Sequence, residues 1–375
     1  MMKHLQIVAF DNPDPPIYGG VIDVFYKIEA LSRHGVLIDL HVFMYNGSQP
    51  SARLEALCHR VYYYPRRVGG LSHFSWLPYS VFSRRDKVLL HRLSANPAPI
   101  LFEGKHTCYY LNHPLLRQHK KYVRMHNIEH HYYLRLAYAE YNLIRRVFFA
   151  AEALRMNWFM SQLKGATALL AITEADRDYL LCRLPSVYAD YLPCFHPHCE
   201  VVGEVGVGDY ILYHGNLSVS ENDYAACWLV EHLFARLSCR CVIAGAKPSD
   251  RLASLVSRYP HIILERSPSQ ERMEQLVREA HIHLLVTAQA TGIKLKLVSA
   301  IYSGRHVVVN PMMVNGTRLE ELCHVGQDAD ELLEHCNRLM SMPFTSEERL
   351  RRIEYLSESF SNEKNAVALW GYIQG

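Results

Sequence analysis

The chain has 375 residues, of which 49% are hydrophobic and 21% charged, and a formal net charge of +3. That length and balance describe an ordinary soluble chain with room for two domains, each with its own core, and so small a positive excess gives no reason to expect a nucleic-acid partner. The ten cysteines lack zinc-site spacing and read as reduced, mostly buried thiols of a cytosolic protein; there is no signal-peptide pattern and no apolar run of membrane-spanning length.

The first predicted element is a strand at Leu5–Phe10, leading into Asp11-Asn-Pro-Asp-Pro-Pro-Ile-Tyr-Gly-Gly20. A helix from about Val21 to Arg33 carries Val24, Ile28 and Leu31 on one face. His34-Gly35 stops it, and a strand at Leu37–Phe43 completes a βαβ unit with glycines in its first turn. Further strands are predicted at Arg60–Tyr64, Pro99–Phe102, Lys121–Arg124 and Ala168–Ile172, and long helical segments over Glu129–Gln162 and Glu174–Leu181. Pro193-Cys-Phe-His-Pro-His, with the Gly- and Val-rich Gly203–Gly208, reads as an interdomain linker. A second series starts at Asp209, with strands at Tyr210–Tyr213, Cys239–Ala244, His261–Glu265, Ile282–Val286 and Val307–Val309. Helices lie between them at Asn222 to about Leu237, at Met273–Glu279 and after Gly292. Alternation of buried strands with helices predicts a parallel doubly wound sheet in each half.

Ligands of such sheets bind at the carboxyl ends of the strands, so the candidates are the residues that follow each strand. Gly19 and Gly20 open a helix, where glycine lets the backbone approach a phosphate and the helix N-terminus supplies N–H donors. Glu103-Gly-Lys-His106 follows the strand at Pro99, and Arg124-Met-His-Asn127, then Ile-Glu-His-His131, follow the strand at Lys121. Strand-end His and Glu can position hydroxyls or shuttle a proton, although most of the 22 histidines must be structural or solvated. Asn127 has a second reading as a helix cap. In the second half, Gly292-Ile-Lys-Leu-Lys-Leu-Val-Ser-Ala-Ile-Tyr-Ser-Gly304 reads as a glycine turn, a short helix and a glycine stop. Lys294 and Lys296 fall in the first turn, which is poor helix electrostatics unless an anion arrives; a phosphorylated ligand is the natural candidate. Aromatic and basic residues mix at Tyr62–Arg67, at Arg84-Arg85 and from Arg145 to Phe159. Such mixtures suit an anionic membrane surface, a sugar groove or plain amphipathic helix faces.

In their order and spacing these segments resemble GT-B glycosyltransferases of the family-4 type, from Pro15 to the last helix. Pro-Pro-Ile-Tyr-Gly-Gly-Val-Ile-Asp is similar to their donor-diphosphate loop, and Glu-Gly-x-His and Arg-x-His-Asn-x-Glu-His to two of their first-domain segments. The resemblance implies an α/β fold of two Rossmann-like doubly wound domains facing across a cleft. Residues 1–200 would be the acceptor domain, with the helix 362–375 packed back on it, and 207–361 the nucleotide-sugar donor domain. It implies chemistry at His126, Glu103 and His106, with His126 on the donor sugar. Donor contacts would come from Gly19, Gly20, Asn216, Asn222, Gly292, Lys294, Lys296 and Ser299, and acceptor contacts from Asn127 and Glu129. Many relatives carry Arg and Lys where this chain has Asn216 and Asn222, and a glutamate pair where it has Thr291 and Ser299; the cationic role passes here to Lys294 and Lys296. Asn222 has an alternative reading as an N-cap, with Ser220 as rival.

The activity so implied is sugar transfer from a nucleotide-sugar to a glycan or lipid-linked acceptor. Retention at the anomeric carbon is expected, with no metal or other cofactor, in cell-surface polysaccharide or lipopolysaccharide synthesis. The expected location is cytoplasmic, with peripheral contact on the anionic inner face of the membrane. Two rivals stand beside it. One is a non-catalytic GT-B subunit that binds a partner transferase or a glycan, which the replaced glutamates favour; the other is a nucleotide-sugar epimerase. A dehydrogenase is disfavoured because no strand is followed by Gly-x-Gly-x-x-Gly.

Overall fold

A computed structural model describes residues 3–45, 47–69, 75–140, 142–288 and 292–374. The chain divides into two compact units, Met1–Pro197 with Ser359–Gly375, and His198–Glu358.

The first unit is built on β1 His4–Ala9, β2 Leu37–Met44, β3 Arg60–Pro65, β4 Ile100–Glu103, β5 Lys121–Met125, β6 Ala168–Ala171 and β7 Tyr188–Tyr191. All neighbours pair in parallel, in the order β3-β2-β1-β4-β5-β6-β7. The central strands are covered on both faces, which is why burial in β1, β4 and β5 is nearly continuous and does not alternate. The helix Gly19–Arg33 returns over the sheet with Val21, Val24, Phe25, Ile28 and Leu31 buried. The helix Asn362–Gln374 packs beside it, and its Ala366, Leu369 and Ile373 share a core with Ile7, Phe25 and Leu170. Each fully buried Leu, Ile or Phe side chain of this core contributes roughly 1.5–3 kcal/mol.

The second unit is built on β8 Tyr210–His214, β9 Arg240–Gly245, β10 Ile262–Arg266, β11 Ile282–Leu285, β12 His306–Val309 and β13 His324–Val325, in the order β10-β9-β8-β11-β12-β13. In each sheet the chain winds one way from its first strand and then the other, which makes a switch point between β1 and β4 and another between β8 and β11. Crevices outside the carboxyl ends at such points take ligands.

Several expectations need correction. The stretch Pro193–Pro197 is core and not linker: Cys194, Phe195 and His196 are buried, and the Phe195 N–H donates to Asp23 at 2.8 Å. The unit boundaries therefore fall at residues 197/198 and 358/359. The stretch from Glu129 to Gln162 is two helices, Glu129–Ala139 and Leu143–Phe159, followed by a 3-10 turn, because the Asn142 side chain caps a new start by accepting from the Arg145 N–H. Neither Ser220 nor Asn222 caps the helix Ser220–His232, whose N-cap position is Val219, and Ile128, not Asn127, stands at the N-cap of the helix Glu129–Ala139. Thr291 lies outside the described residues.

Candidate functional site

In the first unit the strand ends on either side of the switch point bring three predicted residues together. Glu103 closes β4, His106 follows it, and His126 follows β5. Phe10, just after β1, stands between the imidazoles, its ring centroid 5.9 Å from that of His106 and 5.6 Å from that of His126. Gly20 lies against the same ring: a Cβ there would come within 2.6 Å of Phe10 Cζ, so a larger residue would have to push the ring aside. Gly19 is the exposed first residue of its helix.

Below this surface lies a buried ion cluster that strand-end reasoning missed. The Lys27 ammonium is 2.7 Å from Asp23 and 2.8 and 2.9 Å from the two oxygens of Glu103. Arg124 donates to Asp23 at 3.0 and 3.3 Å and to the carbonyls of Leu192 and Pro193 at 2.7 and 2.9 Å. His126 Nε2 is 3.0 Å from Glu103, and its Nδ1 is 3.8 Å from Asp23. Glu103, expected to take part in chemistry, is wholly buried, with its carboxylate bonded to Lys27 and His126. Burial alone would raise the carboxyls of Asp23 and Glu103, but the cations beside them, Arg124 and Lys27 at Asp23 and Lys27 at Glu103, reverse this and hold both below the usual range. Burial, reinforced by the charges of Arg84, Lys105 and Arg66, keeps the His106 imidazole well below its usual value, hence neutral near pH 7. Glu129, expected on an acceptor, is instead buried against Lys105 at 3.1 Å, while Asn127 stays partly exposed. The legible trace of the cluster was Asp23 and Lys27, one helical turn apart beside Val24, Ile28 and Leu31.

Among the described residues, two groups carry the residue types of a metal site. Ligating atoms of Asp23, Glu103 and His126 lie within 4.8 Å of one another, but the Lys27 ammonium bonds to both carboxylates and supplies the cation itself. His4, Asp39 and His59 form the other group, at the amino ends of β1, β2 and β3. There Asp39 is already satisfied by His4 at 3.2 Å, His59 at 3.0 Å and the Asn96 amide at 2.8 Å.

In the second unit Gly292 adopts φ +67°, a left-handed turn that favours glycine, and delivers the chain to the helix Leu295–Ser303. Lys294 is its N-cap residue without a side-chain cap bond, and no acidic residue occupies its first turn. Lys296 reaches back to the end of β8, where its ammonium donates to Asn222 Oδ1 at 3.0 Å and to the Tyr213 hydroxyl at 3.3 Å and lies 4.7 Å from the Tyr213 ring centroid. Burial, opposed by Glu221 and reinforced by Lys294, lowers the Lys296 pKa to about 8. His214, the last residue of β8, is lowered to about 3 by burial and by the Lys296 charge and stays neutral. The Asn216 side chain is turned into its own loop, accepting from the Ser218 N–H at 3.1 Å and from the Ser218 hydroxyl at 2.6 Å. Ser299 is 2.9 Å from His198 Nε2, and the His198 ring stacks on Tyr302.

Residues 208–342, most of this second unit, match the family model described as Glycosyl transferases group 1. The chain is a glycosyltransferase. A Klebsiella pneumoniae protein described as "Uncharacterized 44.6 kDa protein in cps region" is 26% identical to it over 345 residues, covering 84% of this chain and 85% of the relative. Solved structures share the two-unit GT-B fold. Sucrose-phosphate synthase from Thermosynechococcus elongatus matches with a TM-score of 0.72 at 16% identity, over 99% of this chain and 98% of that one. An Anabaena protein solved with UDP and glucose matches with a TM-score of 0.64 at 11% identity over 100% of both chains. In this glycosyltransferase, then, the cation at the β8 end lies within the family-matched residues, and the histidine pair lies in the unit outside them.

Proposed function

We propose that this glycosyltransferase moves a sugar from a nucleotide-sugar onto a glycan or lipid-linked acceptor. It retains the anomeric configuration and uses no metal, in assembly of a cell-surface polysaccharide such as a lipopolysaccharide. The observation that carries the donor assignment is the Lys296 ammonium, hydrogen-bonded to neutral groups beside the N-terminus of the helix Leu295–Ser303 and close to the second switch point. A cation and a helix N-terminus aimed at one place stabilise the charge that grows on a leaving diphosphate. Lys294, Gly292, Asn222 and Ser299 complete this donor surface; Asn216 shapes the loop. In the first unit, taken by itself, Gly19 and Gly20 offer helix N–H groups to a phosphate, His106 and His126 offer imidazoles to a sugar, and Asn127 is the acceptor contact. Lys105 with Glu129, and Glu103 with Lys27, hold these strand ends in place. The polysaccharide setting is supported by the cps-region description of the Klebsiella relative, and the work is done at the cytoplasmic side of the membrane.

Titration calorimetry with UDP-, GDP-, ADP- and dTDP-linked sugars, in chelator and without added metal, tests this reading. Selective binding of one nucleotide is expected. Lys294→Ala with Lys296→Ala should weaken it about tenfold or more, since charge-assisted hydrogen bonds are worth about 1.5–3 kcal/mol. No binding by folded protein would transfer the assignment to a non-catalytic subunit, and wild-type affinity in the double variant would remove the lysines from the phosphate site.

A further inference from the structure

One face of the first sheet changes character along its strands. Successive residues of a strand point to opposite sides, so His4, Gln6 and Val8 of β1 share a face with Asp39, His41 and Phe43 of β2 and with Arg60, Tyr62 and Tyr64 of β3. Toward the carboxyl ends this face is apolar core, with Val8, Phe43 and Tyr64 buried in it. Toward the amino ends it is polar and borders a cavity of about 450 Å3, whose wall includes His4, Asp39, His41, His59, His91 and Arg92. Gln6 and His41 are each 1% exposed, and Gln6 Oε1 and His41 Nε2 have no hydrogen-bond partner among the described residues. A wall of this kind costs free energy unless it meets a polar occupant.

Three groups of the wall converge. His4 Nε2 is 3.2 Å from one oxygen of Asp39, His59 Nδ1 is 3.0 Å from the other, and ligating atoms of the three residues lie within 4.8 Å of one another. Ligands held at about 2.0–2.2 Å around a tetrahedral ion stand about 3.3–3.6 Å apart, and both imidazoles are partly exposed and free to turn toward that spacing. Asp39 is buried, and its ion pairs among the described residues are to histidines, which are cations only while protonated. The group of Asp23, Glu103 and His126 has the same residue types but contains the Lys27 ammonium; no lysine or arginine is paired with Asp39 among the described residues. A buried carboxylate without a permanent cation is completed by one from outside. The Asn96 amide donates to Asp39 at 2.8 Å, an outer contact of the kind that orients a ligating carboxylate. The hydrogen bonds from the imidazoles to Asp39 are compatible with this, because each proton moves to the other ring nitrogen, or leaves, when a metal takes its place. We propose that His4, Asp39 and His59 bind a divalent transition-metal ion, Zn2+ foremost, with water from the cavity completing its coordination. The ion would tie together the amino ends of β1, β2 and β3, at the other end of the sheet from His106 and His126. Sugar transfer itself stays metal-free, and the proposal is independent of the donor assignment.

Titration of the untagged, chelator-stripped full chain with Zn2+ and with Co2+ tests it. One equivalent should bind, and Co2+ should show the visible absorption of a low-coordinate ion without the thiolate charge-transfer band that the exposed Cys182 and Cys199 would give. Zn2+ at about a hundred times its Kd should raise the melting temperature by roughly 5 °C or more. Changes outside the ligand shell already weaken metal sites about 10–100-fold, so H4Q and H59Q should each lower affinity at least about tenfold, and H4Q/H59Q should abolish the cobalt spectrum. Both side chains are partly exposed, so the variants should melt near wild type in chelator. Wild type that binds no metal overturns the proposal, as does one equivalent bound equally well by H4Q/H59Q. A thiolate band that persists in the variants assigns the ion to cysteines and overturns it too. Nucleotide binding in chelator reports on the donor assignment separately, so either reading can fail alone.

Discussion

Lys27→Met is the sharpest perturbation of the buried cluster behind His126. The ammonium lies 2.7 Å from Asp23 and 2.8 and 2.9 Å from the oxygens of Glu103, and none of the three side chains is more than 3% exposed. At an effective dielectric of about 20, charges this close attract by about 6 kcal/mol per carboxylate. Several kcal/mol of that is offset by taking the ammonium out of water. Asp23, Glu103, Lys27 and Arg124 together are neutral; methionine leaves one negative charge with no counterpart. The expected loss is about 3–5 kcal/mol, a large part of a typical domain's roughly 5–15 kcal/mol. Urea unfolding followed by circular dichroism, compared among wild type, K27M, E103Q and K27M/E103Q, measures it. The double variant restores neutrality and should recover much of the single variant's loss. The acid limb gives a second readout. Both carboxyls are depressed in the folded state, so their contribution is complete above the unfolded values of 4.5 and 3.8 and is lost as pH falls through the folded ones. Without Lys27, burial is less opposed, Glu103 takes up its proton at higher pH, and the acid limb should move upward. A loss under about 1 kcal/mol with an unmoved acid limb would refute the cluster as a coupled set of charges.

Two further predictions concern the sites themselves. Because the Lys296 pKa is lowered to about 8, its ammonium is lost as pH rises through that value, so nucleotide affinity should decline above pH 8. K296R should flatten the profile, because guanidinium stays charged. Binding near pH 8 should also take up protons, visible as a calorimetric enthalpy that depends on the buffer; a flat wild-type profile would place Lys296 away from phosphate. His126→Ala should lower turnover while leaving affinity for free nucleoside diphosphate nearly intact. It should cost about 1–3 kcal/mol of stability, since Glu103 loses a buried partner. Collapse of nucleotide affinity would mean that His126 belongs to the donor diphosphate and not to the sugar.

The fold was legible wherever burial is two-sided. β4, β5, β11 and β12 are buried along their whole length, and each has two or three consecutive apolar residues that mark it in the sequence. β7 was not predicted, because its four residues mix exposed and buried positions at a sheet edge, and β13 is only two residues long. Pro193–His198 has the composition of a linker, and only the tertiary bond from the Phe195 N–H to Asp23 makes its start part of the core. Strand ends pointed to His106 and His126, and the helix N-terminus to Lys296, but neither kind of reasoning pointed to the groups they bond in the fold. Partners such as Lys27, and Lys105 for Glu129, are fixed by which strands are neighbours, and no local pattern encodes that. The break before Leu143 had a single signal, Asn142, with no glycine or proline beside it.

Lys27 and Arg124 of the first unit and Lys296 of the second have their charges met differently, and the difference bears on which of these three can hold an anion. In the first, Lys27 and Arg124 are spent on Asp23 and Glu103; their field is cancelled within about 3 Å, leaving little for a ligand. In the second, Lys296 is hydrogen-bonded to an amide and a phenol, which orient the ammonium without neutralising it. An ammonium held this way keeps its field for whatever arrives and is disfavoured until it does, which is the sense of its lowered pKa. The amide that orients Lys296 comes from Asn222 on another helix, so the position of the ammonium is set by tertiary packing and not by its own helix alone.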